Sequence, residues 1–309
     1  MSGITAAFES ALTWIYSIVG DYGWSVVLFT IAFRLCLTPF DFISRRAMRK
    51  QSVDMERLQP KLDALKEKYA NDQQKLNTKT MELYKKENVS PFGGCAGGCL
   101  PMLLQWPVFI AFFSSIRGVT DMELVKIYET VKAGGEAVIP SFYWVKDLWQ
   151  PDTFTASVIP AFGNLNNHAT FKAMIASGEL TEELYNATMQ PLMEQYANQA
   201  NGFFILPVLA AAASFFQGWL SVNLNKTAEQ RAKEAKARES GKEDPTASTG
   251  RMMQYLFPIM SFFFCMTSST AFSLYWLASN VVSILSTYVI DKLFLRKIKP
   301  KEPPKEEIL

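Results

Sequence analysis

The sequence predicts an all-α polytopic membrane protein, with five transmembrane helices around a hydrophilic groove, a cytoplasmic helical hairpin and an N-terminal amphipathic interfacial helix. Three observations predict it. Hydrophobic residues make up 49% of the 309 residues, and 23 Phe help to fill five runs long enough to cross a bilayer. Charge is almost absent from those runs and dense in the links between them. The first run, Trp24–Phe42, nevertheless holds an arginine, Arg34, near its middle. The net charge of +2 averages over compartments that do not mix and carries little information.

In residues 1–21, Ile4, Phe8, Leu12, Ile15 and Val19 recur at spacings of three and four, with Glu9, Ser10, Thr13 and Ser17 largely opposite. That pattern suits an amphipathic helix lying on a membrane surface, on the outside. It lacks the basic start and small-residue cleavage site of a signal peptide. Span one occupies 22–43 and empties into Arg45, Arg46, Arg49 and Lys50. Over 44–90, Met55, Leu58, Leu62, Leu65 and Tyr69, then Leu76, Thr80, Leu83 and Tyr84, predict two antiparallel helices joined at Ala70-Asn71-Asp72.

Span two is placed at 99–117, after a glycine-rich link that contains Cys95 and Cys99. Residues 118–201 form an acidic, partly helical external segment, with helical stretches expected at 170–176 and 182–199. Span three covers 202–222, a basic loop 223–251, span four 252–267 and span five 271–291, with Thr267–Thr270 as the turn between the last two. The tail, 292–309, is charged, contains proline and is expected to be disordered.

Lys and Arg number twelve in 44–90, seven in 223–251 and six from Lys292 onward, against four in 118–201. The positive-inside rule therefore puts the N-terminus outside and the C-terminus in the cytoplasm. With Cys36 and Cys265 inside apolar runs and His168 the single histidine, neither a disulfide framework nor a metal site is expected. The glycines around Cys95 and Cys99 read as small residues filling a tight turn.

Arg34 lies roughly 15 Å into its span, near the centre of a hydrocarbon core about 30 Å thick. A guanidinium does not deprotonate there, and lipid is a costly environment for it. No span offers a carboxylate at that depth, and the head group is too far from either surface to reach it by snorkelling alone. A hydrated groove is the remaining solution. Thr30, Arg34 and Thr38 share one face of span one. Ser273, Trp276, Asn280, Ser283 and Thr287 form a polar stripe along span five, and Gln105 and Gln217 add amides from spans two and three. Such stripes also glue helices together. No carboxylate pair, histidine or activated serine forms a catalytic constellation, so no enzyme activity and no catalytic residue are expected. Physical reasoning alone reaches a groove for a polar or anionic passenger, with a small-solute transporter or channel as the alternative.

The pattern T-x-x-x-R-x-x-x-x-P from Thr30 to Pro39, LQPKLDALKEKY in the hairpin and GGCLPMLLQWPVFIAFF at span two go further. With FFILPVLAAAASFFQ, MMQYLFPIMSFFF and LYWLASNVVSIL in the last three spans, they resemble the YidC membrane-protein insertases, relatives of the oxidase-assembly and Albino insertases. The resemblance covers about Tyr22–Lys297 apart from most of Gly118–Asn201. It implies a multi-pass protein of the bacterial plasma (inner) membrane that inserts and chaperones nascent membrane proteins. By resemblance, Arg34, Thr30, Gln217, Tyr275 and Trp276 belong to the substrate groove, and the polar faces described above add Thr38, Gln105, Asn280 and Ser283. The recruiting hairpin contributes Arg45, Arg46, Arg49, Lys50, Gln59, Pro60, Tyr69 and Tyr84. Implied partners are nascent membrane proteins and the lipid bilayer, with the ribosome, the signal recognition particle receptor and the Sec translocon. No cofactor, metal or specific nucleic acid sequence is implied. Three features depart from the family pattern: the extra GGCA before GGCLP, TSST where a proline is frequent, and the length of segment 118–201. The chain also shows neither a lipoprotein signal nor a large external domain with its own span.

Overall fold

In a computed structural model of the chain, residues 2–89, 93–225, 245–295 and 298 are described, with side chains over 3–89, 106–224, 254–295 and 298. Their regular structure is helical: α1 (Ser2–Val19), α2 (Tyr22–Lys68), α3 (Gln73–Lys86), α4 (Gly93–Lys132), α5 (Ala169–Ala176), α6 (Glu182–Gln195), α7 (Ile205–Asn225), α8 (Pro245–Thr267) and α9 (Thr270–Ile290). A 3₁₀ turn covers Phe162–Asn167 and a π turn Asp291–Leu295. Each of the five apolar runs lies mainly in one helix, although α7 begins at Ile205, three residues after the expected start of span three. Among the described residues, α2, Ile205–Leu224 and Thr270–Leu295 are long and apolar enough to cross a membrane, and Gln254–Thr267 is a shorter apolar stretch.

Several boundaries differ from the sequence expectation for identifiable reasons. Span one does not end before the hairpin, because nothing between Ser44 and Lys68 stops a helix. Even Pro39 and Pro60 are carried inside α2, each removing one backbone donor. The glycine-rich stretch after Phe92 belongs to α4 and is not a turn, since glycine weakens a helix without forbidding it. Beyond the predicted end of span two, α4 continues to Lys132. Val119, Leu124, Ile127 and Tyr128 sustain a buried face there, and Gly134, at φ 78°, provides the stop. Helix α6 stops at Gln195, earlier than the expected 199, and α5 agrees closely with its predicted range. The tail expected to be disordered begins with the π turn, whose Leu295 is buried and whose Phe294 packs edge-on against Phe42, ring centroids 5.3 Å apart. Most of the basic loop and the rest of the tail lie outside the described residues.

The chain divides into two units. The first comprises Met1–Leu35, Pro107–Gln217 and Met253–Ser283. Its core joins Leu12, Val26, Phe29, Phe112, Cys265 and Phe272 to Tyr128, Leu148, Leu165, Phe171 and Tyr185 of segment 118–201. The predicted apolar stripe of α1 turns inward: Leu12 is buried and the Phe8 ring lies 5.5 Å from Phe29 and 5.1 Å from Phe33. The two ends of that stripe, Ile4 and Val19, remain exposed, as do Trp14 and Ile18.

Segment 118–201 holds the N-terminal ends of two membrane helices. At α9, the Thr270 and Ala271 amides donate to the carbonyls of Gln150 and Leu148 at 2.9 and 3.0 Å, and the Thr270 hydroxyl also donates to Gln150. At α7, the buried Asp152 carboxylate accepts from the amides of Phe203 at 2.8 Å and Leu206 at 2.7 Å. A helix start leaves its first amides without intrahelical partners, and these contacts supply them.

The second unit comprises Cys36–Trp106, Gly218–Met252 and Ile284–Leu309 and contains the hairpin. Asp72 caps α3 through the Lys75 amide at 3.0 Å, and Leu58, Leu62 and Val89 form the seam. Glu87 is buried, hydrogen-bonded by Lys61 and 3.2 Å from Arg57. The Lys61 bond holds its carboxyl below the usual range. Glu87→Gln would leave Arg57 largely enclosed without its counter-charge. This variant is expected to weaken the hairpin by about 1–2 kcal/mol. The readout is faster hydrogen exchange across α3, with exchange in α9 unchanged.

Candidate substrate groove

Arg34 is half-buried on α2, and its Nε donates to Ser279 Oγ of α9 at 2.6 Å. A serine hydroxyl thus meets the charge inside the helical region. One turn before it, Thr30 is fully buried and its hydroxyl donates to the Val26 carbonyl at 2.6 Å. Tyr275 is also buried, stacked on Phe112 with centroids 3.8 Å apart.

A second polar junction links α7 and α9. Trp276 Nε1 and Asn280 Nδ2 both donate to Ser214 Oγ at 3.1 Å, which occupies both acceptor positions of that hydroxyl. Asn280 also bonds the Trp276 carbonyl at 2.8 Å. Gln217 reaches Ser283 at 3.5 Å, the weak limit of such a bond. The Trp276 ring packs among Phe109, Phe257 and Phe272 at centroid distances of 5.5–6.1 Å.

The structure therefore brings Arg34 onto the Ser279 hydroxyl and Trp276 and Asn280 onto the Ser214 hydroxyl, links Gln217 separately to Ser283, and encloses Thr30 and Tyr275. Ser279 and Ser214, the hydroxyls at the centres, were absent from the sequence-based set. Ser279 lies four residues from both Tyr275 and Ser283, and Ser214 three from Gln217; that spacing is the one signal in the sequence by which they could have been found. The polar stripe of α9 has two roles along its length. Ser273 bonds the Cys265 carbonyl of α8 and joins helices, whereas Trp276, Asn280 and Ser283 face α7. Thr38 is half-buried in the second unit. Gln105 lies on α4 with its side chain outside the described residues.

Within the hairpin set, Arg46, Lys50 and Pro60 are exposed and Arg45, Gln59 and Tyr69 half-buried. Arg49 donates to the Leu224 carbonyl at 3.1 Å, a cation placed at the C-terminal end of α7. Tyr84 packs against the hairpin seam.

Residues 14–297 match a family model described as 60Kd inner membrane protein. The chain belongs to this family. The 60Kd inner membrane protein match takes in both polar junctions, the hairpin and segment 118–201. Among curated relatives, the membrane protein insertase YidC of Leptospira interrogans (serovar Lai) is 30% identical over 249 residues, 74% of this chain and 36% of that protein. The insertase YidC of Legionella pneumophila (strain Corby) is 37% identical over 151 residues, 49% of this chain and 23% of that one. That of Fusobacterium nucleatum is 27% identical over 279 residues, 89% of this chain and 88% of that one. The match spans about a third of the length of the Leptospira protein.

Proposed function

We propose that this chain is a membrane protein insertase and chaperone, taking nascent segments from the cytoplasm into a hydrated groove around Arg34 and releasing them into lipid. The observation that carries this reading is the Arg34 side chain held on a serine hydroxyl among membrane helices. A fixed cation there attracts acidic or polar stretches and shortens their path through hydrocarbon. Trp276, Asn280 and Gln217 supply the neighbouring wall, and Thr30 and Tyr275 become accessible when the helices part. The exposed Arg46 and Lys50 and the Gln59–Pro60 surface of the hairpin serve recruitment, with the ribosome, the signal recognition particle receptor and the Sec translocon as working partners. The N-terminus lies outside and the tail in the cytoplasm, so segment 118–201 is external. The inserted segment's own partitioning provides the driving force, a few tenths of a kcal/mol for each apolar residue.

A photo-crosslinker replacing Trp276 is expected to capture nascent membrane proteins during synthesis, and clean absence of adducts counts against the reading. Arg34→Ala is expected to lower insertion of substrates with acidic external tails roughly tenfold, the scale of one charge-assisted contact, and of neutral-tailed substrates much less. Protease protection of the translocated tails, in cells depleted of their own insertase, measures both.

A further inference from the structure

Within the first unit, a cavity of about 520 Å³ opens between α4, the chain around Trp149 and the α8–α9 turn. Its volume is that of a small-ligand site. Phe113, Phe264 and Phe272 line one side, and Phe264 is partly exposed on the apolar helix α8. Polar donors line the other. Arg117 is exposed and held in place, its Nη2 donating to the Asn167 carbonyl at 2.9 Å and its guanidinium 5.5 Å from the centre of the Phe113 ring. Thr120 and Trp149 are each 3% exposed and line the same cavity, yet the Thr120 hydroxyl and the Trp149 indole nitrogen have no hydrogen-bond partner among the described residues. Buried donors of this kind are rare in folded proteins and point to an acceptor.

The charge count narrows the acceptor. His168 also lines the cavity, and burial lowers its pKa, so near neutral pH it adds no charge. The nearby Asp121, 4.0 Å from His168, spends one oxygen on the Thr170 amide and hydroxyl. Arg117 is the one formal cation in the described wall, and no carboxylate there is placed to hold an ammonium group. One cation with neutral donors suits a monoanion. The aromatic side requires that this monoanion be attached to something apolar, which a free phosphate is not. We propose that the cavity binds an anionic glycerophospholipid, its phosphodiester on Arg117 and its acyl chains over the exposed Phe264.

The test uses the full chain in detergent micelles with phosphatidylglycerol or phosphatidylcholine, read by native mass spectrometry, and with a phosphatidylglycerol bearing a photoreactive acyl chain. Phosphatidylglycerol is expected to bind in preference to phosphatidylcholine, and its adducts to map to 113–120 or 264–272. Arg117→Ala is expected to weaken binding about tenfold and Trp149→Phe, which removes the donor and keeps the bulk, about threefold. Equal retention of the two lipids, or equal adduct yields for wild type and Arg117→Ala, overturns the proposal. Displacement of the lipid by millimolar inorganic phosphate overturns the assignment to a lipid. Should Arg117→Ala fail to fold, Arg117→Gln and Trp149→Phe decide by the same readouts.

Discussion

Replacing Asp152 with alanine is expected to destabilise the protein by about 3 kcal/mol, the cost of leaving buried donors without an acceptor. The carboxylate is fully enclosed and receives the Phe203 and Leu206 amides and, at 3.3 Å, the Trp144 indole N–H. It also stands so close to Gly202 that a side chain there would collide with it. Asp152→Asn, with one acceptor oxygen in place of two, is expected to recover about half of the loss. Thermal unfolding of the purified protein measures both variants, and hydrogen exchange at the start of α7 localises the effect.

The second large effect depends on pH. Asp147 is fully enclosed, and desolvation pushes its carboxyl up to about 7, against the single opposing bond from the Trp149 amide. It borders a cavity of only about 10 Å³, shared with Tyr128 and Tyr185, which is too small to hydrate a charge. The folded protein therefore keeps a proton that the unfolded chain releases near pH 4. Stability is at its fullest below about pH 4, falls as pH rises towards about 7, and then levels off after a loss of roughly 4 kcal/mol. Asp147→Asn keeps the acceptor for Trp149 and cannot ionise. It is expected to raise the unfolding temperature at pH 8 by roughly 5–10 °C, with little change at pH 4. Equal shifts at both pH values would contradict this account.

Much of this architecture was legible because membrane helices write themselves in composition. Five apolar runs identified five helices, and the seam Leu58–Leu62 with Leu83 and Tyr84 identified the hairpin. What the sequence did not disclose were features set by tertiary contact. The extension of α4 to Lys132 rests on burial against α5 and α6, which hydropathy around Asp121 and Glu123 conceals. The inward face of α1 has the same periodicity as a helix lying on lipid. Among the candidate residues, Arg34 was singled out by being out of place, Trp276 and Asn280 by spacing and Gln217 as a lone amide in its span. Ser214 and Ser279 did not, since a serine in a membrane helix is common and its importance lies in which neighbours converge on it.

Segment 118–201 fixes the starts of α7 and α9, and this has a geometric consequence for how they can separate. Helices held at one end can part only by tilting about it, so displacement grows along their length. Asn280 lies about 15 Å along α9 from the held end. A tilt of about 10° there moves it by roughly 2.6 Å at that rise, enough to part Ser214 from both of its donors. Any separation of α7 and α9 is thus a small rotation, with its least travel at Thr270 and its greatest beyond Asn280.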